Sequence, residues 1–437
     1  MLNPIAEWLD RRFLVSERGS TLKQETLGGA VTFMTMAYIV VVNPTILQDA
    51  GMPFGPAMVA TALTAMFGCL LMGVLANRPY AIAPYMGQNA FVAYTVTGTM
   101  GYSWETALFT IFISGVLLLL LTLSGGRKAL GDAVPMTLKI SFSVGIGLFI
   151  AFVGAVSSGI IVSGTETPLA IGDLTQTESM LAILCLLTIS ALTVRGFRGS
   201  ILVGMLVCTA IGLFVGVVEA PAALISSPPP LSPVFLQWEV SLTFGILSVL
   251  MTVFILDVVD TMGTLVALGS ETGQIDEEGR LIDIQRPFTA DSLTIMFAGI
   301  VGTTSSGVFV ESASGIKSGA RTGISSIFVG LLFGASLLFT PIVTMIPSAV
   351  TGPAMMVIGM MMFASTRMLD FHEPTDFFPA VVTVSLMVFT YNIGIGICAG
   401  FIVYVVGKVF SGKGEEVTPL MWVLMAMSLL FFIFYPY

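Results

Sequence analysis

The sequence predicts an all-α polytopic membrane protein of fourteen spans, arranged as two inverted seven-span repeats. Hydrophobic residues make up 55% of the 437 residues and charged residues only 10%, whereas soluble globular proteins carry about 25% charged residues. Apolar runs of the length that crosses a bilayer, about 20 residues, recur along the chain. They leave no room for a sizeable soluble domain. The net charge of −9 also excludes a nucleic-acid binder that relies on a basic surface.

Fourteen apolar runs follow one another along the chain. They occupy residues 26–48, 55–76, 84–100, 104–123, 136–156, 179–194, 199–218, 242–268, 288–304, 306–323, 324–345, 350–365, 376–391 and 393–410. Another run at 418–435 is either an extra span or a helix along the membrane interface. The predicted segments are a cytoplasmic N-terminal segment 1–25, a first repeat 26–218, an extracellular linker 219–241, a second repeat 242–410 and a C-terminal apolar helix 411–437.

The distribution of basic residues supports the number and the orientation of these spans. If the N-terminus is cytoplasmic and each run crosses once, all 17 lysines and arginines fall to the inside. The outside segments hold acids, among them Asp49, Glu166 and Asp173. Basic residues accumulate on the cytoplasmic side of membrane proteins. We therefore expect a multi-pass protein of the inner or plasma membrane with its N-terminus in the cytoplasm.

The third and tenth runs are poor continuous helices. Residues 80–91 contain a proline, a glycine and two amides, and residues 302–321 contain a β-prone triplet between a glycine and a glutamate. Irregular backbone at membrane depth is tolerated only where protein buries it or it lines a cavity. Each run is expected to be a short strand followed by a half-helix. Because the two runs hold equivalent positions in halves of seven spans, the repeats are inverted, and the binding site is expected where the half-helices meet.

Four carboxylates lie within the predicted spans: Asp257 and Asp260 in the eighth, Asp291 in the ninth and Glu311 in the tenth. Each costs about 3 kcal/mol or more at the centre of a bilayer. No lysine, arginine or histidine at membrane depth balances them, because the basic residues inside the run bounds lie near the predicted cytoplasmic ends, and the single histidine, His372, lies in a predicted cytoplasmic segment. A structural role explains any one of these acids equally well, but the set favours a binding site.

The polar side chains of these spans are expected to face one cavity. Asp260 and Thr264 share a face of the eighth span because they are four residues apart. Glu311 starts the half-helix of the tenth span, where the helix dipole stabilises negative charge. Gln88 and Asn89 hold the matching place on the third span.

A flat, neutral heterocycle would satisfy this set of groups. The amides supply hydrogen-bond donors and acceptors, and the carboxylates supply acceptors. Three aromatic residues could stack on the ring: Phe91, Phe254 and Phe309. Ser312 adds a hydroxyl group. An inorganic anion would meet carboxylates with no cation beside them. Since a buried carboxylate without a counter-charge tends to hold a proton, proton-coupled symport is the expected mechanism.

Asp257 and Asp260 are the candidates for the proton carrier. They lie one turn apart on one helix, so two negative charges would repel each other and one carboxylate should hold a proton at neutral pH. Asp260 is favoured because its partner Thr264 places it on the face toward the third and tenth spans. Asp257 is expected to orient the broken backbone nearby.

Other functional classes fit the sequence less well. The four cysteines lie within apolar runs, and the sequence has no metal-ligand spacing, nucleophile motif or intramembrane histidine. We therefore expect no enzyme, metal site or cofactor. A channel would fit the composition, but broken helices in inverted repeats suit an occluded site better than an open pore.

Five stretches of the sequence resemble the AzgA-like purine permeases, which belong to the wider nucleobase/ascorbate transporter group. They are residues 36–47, 83–94, 257–265, 280–292 and 311–323. The similarity runs in the same order along essentially the whole chain. It implies a core domain of spans one to four and eight to eleven, and a gate domain of the remaining spans. These domains correspond to about 26–123 with 242–345, and about 133–218 with 350–410.

The resemblance also implies an activity and a set of site residues. The activity is proton-coupled uptake of adenine, guanine or hypoxanthine, by an elevator-like movement of core against gate in a homodimer. Asn89, Asp257, Asp260 and Glu311 match the substrate-site residues of the family, and Asp291 matches a supporting acid.

Three residues bear on which base is carried. Thr264 stands where uracil-type relatives have a histidine, and Tyr85 and Gln88 stand where the family usually has glycine and leucine. One additional donor or acceptor discriminates strongly between related bases. Transport of xanthine, uracil or another heterocycle therefore stays an alternative, as does anion transport on the same fold.

Overall fold

The chain folds into a helical bundle that encloses one pair of short strands. The computed structural model describes residues 4–127, 133–221, 223–241, 243–276, 281–370 and 372–433. The elements of the first half are α1 (Pro4–Phe13), α2 (Leu22–Met36), α3 (Ile39–Asp49), α4 (Phe54–Leu71), β1 (Ile82–Pro84), α5 (Met86–Ala90), α6 (Trp104–Leu123), α7 (Met136–Ser157), β2 (Ile161–Ser163), β3 (Leu169–Ile171), α8 (Thr177–Val194) and α9 (Ser200–Phe214). The elements of the second half are α10 (Phe244–Glu271), α11 (Gln285–Val301), β4 (Ser306–Val308), α12 (Ser312–Ile316), α13 (Gly323–Ser336), α14 (Thr340–Thr344), α15 (Ser348–Phe363), α16 (Pro374–Phe389), α17 (Ile393–Phe410) and α18 (Pro419–Ile433).

Among the described residues, nine helical stretches are long and apolar enough to cross a membrane. The shorter apolar helices α9, α16 and α18 cover the predicted seventh and thirteenth spans and the additional C-terminal run. A mostly helical, polytopic architecture is therefore confirmed. Fourteen crossings, and their inverted arrangement, stay predictions.

The third and tenth runs are interrupted in the way that the sequence predicts. β1 leads into the five-residue helix α5, and β4 is followed by the five-residue helix α12. A π-helical segment, Phe91–Thr99, continues α5. The dipole of a helix grows with the number of aligned peptide units. α12 has only five residues, and the expected stabilisation of Glu311 by its dipole stays a prediction.

β1 and β4 pair with each other in antiparallel orientation, with Ala83 opposite Gly307. This pairing satisfies backbone groups that would otherwise be orphaned at membrane depth. A Cβ atom at Gly307 would lie 2.1 Å from the hydroxyl oxygen of Tyr85, so only glycine fits beneath that ring. Two segments more than 200 residues apart therefore meet at one point in the bundle.

The first predicted span is two helices rather than one. α2 ends at Met36 and α3 begins at Ile39, so that Ala37 and Tyr38 lie at the break. Pro44 lies inside α3 and cannot donate a backbone hydrogen bond to the preceding turn. The continuous apolar composition of 26–48 concealed this break.

Close backbone contact holds α7 against α15. A Cβ atom at Gly154 would lie 2.4 Å from the carbonyl oxygen of Gly352, and one at Gly359 would lie 2.1 Å from that of Gly147. Small residues permit this approach between helices in a membrane. Both helices belong to the predicted gate domain, whose movement against the core stays a prediction.

The topology can be tested by cysteine labelling in sealed right-side-out cells. Because every lysine and arginine falls on one side in the fourteen-span arrangement, single cysteines in 158–176 and 219–240 should react with an impermeant reagent. A cysteine in 269–287 should react only after permeabilisation. Reaction of 269–287 in sealed cells would show that the predicted orientation is wrong.

Candidate functional site

The candidate site lies around the paired strands and the two short helices that follow them. The amide of Tyr85 donates to the carbonyl of Ser305 at 2.9 Å, and the amide of Phe309 donates to that of Ala81 at 2.9 Å. These bonds extend the β1–β4 ladder at both ends. Predicted site residues on the third and tenth spans are thereby fixed relative to each other.

Asp257 on α10 is fully buried and accepts three side-chain hydrogen bonds. Its Oδ1 accepts from Gln88 Nε2 at 2.9 Å and from Ser305 Oγ at 2.5 Å, and its Oδ2 accepts from Ser114 Oγ at 3.0 Å. Donors on three different segments therefore converge on one carboxylate. Such donors stabilise the ionised form of a carboxylate and fix its orientation.

Asp291 on α11 forms a buried ion pair with Arg127. Arg127 follows α6 and is 1% exposed, and its Nη1 also donates to Ser292 Oγ at 2.9 Å. Its guanidinium lies 4.3 Å from the centroid of the Phe288 ring. The expectation that no cation balances the intramembrane acids is therefore wrong. Hydropathy places Arg127 in a cytoplasmic segment, but its long side chain folds back into the bundle.

A chain of hydroxyl groups links this ion pair to the paired strands. Thr261 Oγ1 donates to Asp291 Oδ2 at 3.0 Å. Because the single Thr261 proton is used in that bond, the Tyr85 hydroxyl is the donor in its 3.1 Å bond with Thr261 Oγ1. Arg127 and Asp291 thus orient the Tyr85 ring.

Asn89 on α5 contacts Asn43, a residue that the sequence analysis did not select. Asn89 Nδ2 donates to Asn43 Oδ1 at 2.8 Å, and Asn43 Nδ2 donates to Thr61 at 2.7 Å and Thr303 at 2.9 Å. Asn89 Oδ1 and Gln88 Oε1 are buried acceptors with no hydrogen-bond partner in the described part of the chain. Buried polar atoms are nearly always satisfied, so these two unpaired acceptors mark the polar cluster as a candidate binding site.

Glu311 lies directly before α12 without capping it. Its Oε1 accepts from the Tyr38 hydroxyl at 2.7 Å, across to the break in the first span. The neighbouring Ser312 makes contacts with the backbone instead. Its hydroxyl donates to the carbonyl of Phe309 at 2.7 Å and accepts from the amide of Ala81 at 3.0 Å. Ser312 therefore joins the two broken spans through their backbones.

Asp260 and Thr264 lie on the same helix as Asp257 but have different surroundings. Both side chains are partly exposed. Over the ranges that the structure describes, neither accepts nor donates a side-chain hydrogen bond. The carboxylates of Asp257 and Asp260 therefore differ in how many hydrogen-bond donors hold them.

The three predicted stacking residues have separate positions. Phe309 lies nearly parallel to Tyr85, with 9° between the ring planes and 6.2 Å between the centroids. Phe91 packs against Gly394 of α17. Phe254 is partly buried at the edge of the main hydrophobic core. Of the three predicted stacking residues, Phe309 is therefore the one that lies next to the polar cluster, parallel to Tyr85.

Sequence reasoning missed several residues of the cluster, and only some of them left a signal. Asn43 is an amide within an apolar run directly before Pro44, which is a usable signal. Tyr38 and Thr261 are common residue types in membrane helices and have none. Arg127 could not be found from periodicity, because it lies beyond the end of the apolar helix α6.

Comparisons with known proteins show the family and the fold of the chain. The family model described as Permease family (Xan_ur_permease) matches residues 23–399. Guanine/hypoxanthine permease PbuG of Bacillus subtilis is 37% identical, with 97% of this chain and 99% of that protein covered. Adenine permease AdeQ of Escherichia coli is 36% identical, with 93% and 92% covered. The transmembrane domain of the cyanobacterial bicarbonate transporter BicA has the same fold, with a TM-score of 0.64 at 16% identity and 87% and 97% covered.

Proposed function

Because the chain belongs to the permease family whose model it matches over most of its length, we propose that it is a proton-coupled symporter that takes up purine nucleobases. Adenine, guanine and hypoxanthine are the proposed substrates, since relatives similar over nearly their whole length are named as permeases for these bases. The proposed location is the cell membrane, with the N-terminus in the cytoplasm.

The observation that carries the proposal is the pair of unpartnered buried amide oxygens beside the strand pair. Gln88 Oε1 and Asn89 Oδ1 are acceptors without a partner among the described residues, and Glu311 adds a carboxylate that a purine N–H can meet. The parallel rings of Tyr85 and Phe309 offer faces for a planar base. In the proposed binding mode, the amide and carboxylate oxygens meet the edge of the nucleobase and the aromatic rings meet its face.

The proton carrier that we propose is Asp260. The positive charge of Arg127 balances the negative charge of Asp291. Three hydrogen-bond donors contact the carboxylate of Asp257. Asp260 has no compensating group within the described ranges and is partly exposed. Its protonation state can therefore follow the surrounding pH as the site alternates between the two sides. An elevator-like movement of the predicted core against the gate, in a homodimer, would provide that alternation.

Competition for uptake tests the substrate assignment. Cells or proteoliposomes that contain the protein should take up labelled hypoxanthine saturably, and unlabelled adenine, guanine or hypoxanthine should compete. Inhibition by xanthine or uracil alone would favour the alternative heterocycles. Competition by bicarbonate but by no base would contradict nucleobase transport.

A substitution at Glu311 tests the proposed binding mode. Glu311→Gln keeps the shape and the acceptor for Tyr38 but turns one carboxylate oxygen into a donor. We expect purine binding to weaken by at least about tenfold, or about 1.4 kcal/mol, because the amide donor of the glutamine would face an N–H donor of the purine. Equilibrium binding of labelled purine to purified protein measures the loss.

Tyr38→Phe is the matched control for this substitution. It removes the bond to Glu311 but leaves the carboxylate, so purine binding should fall less than in Glu311→Gln. Equal losses in the two variants would mean that Glu311 acts only through Tyr38. Unchanged binding in Glu311→Gln would exclude it from the substrate site.

A further inference from the structure

Three arginines surround a cavity on the predicted cytoplasmic face, away from the candidate substrate site. The cavity has a volume of about 280 Å³ and is lined by Arg18, Arg78 and Arg321 together with Thr272, Gln274 and Ile282. Arg18 follows α1, Arg78 precedes β1, and Arg321 lies between α12 and α13. The cavity therefore adjoins the ends of both broken spans.

Each guanidinium is anchored by one nitrogen to backbone carbonyls. Arg18 Nη1 donates to Asn77 at 2.7 Å, Arg78 Nη2 donates to Ile282 at 2.6 Å, and Arg321 Nη1 donates to its neighbour Ala320 at 2.7 Å. These bonds fix the position of all three cations. They leave the Nε and the second Nη of each arginine without a partner among the described residues.

Arg78 is the most deeply buried of the three arginines. Its side chain is only 6% exposed, and its Nε is a buried donor with no hydrogen-bond partner in the described ranges. An arginine has five donors in a planar fork. Nε itself has almost no accessible surface, so the nitrogen of Arg78 that is open to a bound acceptor is Nη1, which has no hydrogen-bond partner among the described residues.

The nearby acids do not supply that acceptor. Glu25 is fully buried and accepts from the backbone amides of Arg321 and Thr322, at 2.9 Å and 3.2 Å. Asp283 pairs with Arg286 at 3.0 Å. Within the described part of the chain, no carboxylate forms an ion pair with the three lining arginines.

We infer that this cavity is a binding site for a phosphate group on the cytoplasmic side, separate from the substrate site. Guanidinium forks bind phosphate oxygens in a bidentate manner, and three converging cations compensate the multiple charge of a phosphate. The group can belong to a free phosphorylated anion or to the headgroup of an anionic lipid. Its binding would join the segments that lead into β1 and away from α12.

Thermal unfolding of the purified full-length protein in detergent tests this site without any purine. Sodium pyrophosphate should raise the Tm saturably, because a ligand that binds the folded state stabilises it. Sodium chloride at equal ionic strength should not reproduce the rise. The same measurement with added phosphatidylglycerol, compared with phosphatidylcholine, distinguishes a lipid headgroup from a free anion. A Tm response to neither pyrophosphate nor phosphatidylglycerol would overturn the inference.

Arg78→Lys keeps the charge but removes the fork, so the apparent affinity should fall by at least about tenfold. Arg18→Lys provides the same test on a less buried side chain if the first variant does not fold. Arg11→Gln is the matched control, since it removes an exposed arginine of the N-terminal region and should leave the response intact. An equal response in wild type and in both lysine variants would overturn the inference.

A rival occupant comes from the chain itself. Glu277 and Glu278 lie outside the described residues but between Gln274 and Ile282 in the sequence. If pyrophosphate raises the Tm of Glu277→Gln/Glu278→Gln but not that of the wild type, an internal ion pair fills the cavity and the inference is wrong. A similar response in both proteins supports the phosphate site.

Discussion

Replacement of Asp260 by asparagine should abolish purine accumulation driven by a pH gradient while leaving purine exchange across the membrane intact. The neutral amide resembles the protonated carboxyl group but cannot release a proton. Because the side chain is partly exposed and has no described partner, the substitution should disturb little else. Counterflow in proteoliposomes measures exchange, and uptake under an imposed pH gradient measures coupling.

Asp260→Glu is the matched control, because it keeps a titratable carboxyl group at the same position. It should retain accumulation at a reduced rate. Asp257→Asn should behave differently from both, since it replaces a carboxylate that accepts three hydrogen bonds and should impair exchange as well. If Asp260→Asn still concentrates purine in response to pH, the carrier is another acid. Uptake that follows sodium and ignores pH would contradict proton coupling itself.

Loss of Arg127 should be the most destabilising single change among the residues around the site. Arg127→Met leaves the fully buried Asp291 without its counter-charge. Breaking a buried ion pair from one side costs about 3 kcal/mol or more, because an uncompensated charge stays buried. We expect a loss of that order in the unfolding free energy, measured by SDS titration.

The double variant Arg127→Met/Asp291→Asn should recover a large part of this loss. It removes both charges, and the amide oxygen of the introduced asparagine can still accept from Thr261. Arg11→Met, in an exposed pair with Glu7, should have little effect because water already screens that pair. If Arg127→Met alone is as stable as the wild type, the buried pair does not hold the bundle at this point.

The helical membrane architecture and the broken third and tenth spans could be predicted from the sequence. Hydropathy reports directly on which segments enter a bilayer, and proline, glycine and amides at membrane depth report directly on where a helix cannot continue. The pattern also selected Asn89, Gln88, Asp257 and Glu311. These residues draw attention because each is costly in an apolar run.

Only the tertiary structure decided how these residues are paired. The contacts of Asp257 with Ser305 and of Glu311 with Tyr38 join segments 48 and 273 residues apart. Local patterns contain no information about such partners. Arg127 shows the same limit most clearly, since a residue that hydropathy places at the surface is buried against Asp291. The sequence thus determined which polar residues lie within the apolar runs. Only the tertiary packing determined which of these residues have an ion-pair or hydrogen-bond partner, because such partners come from segments that are remote in the chain.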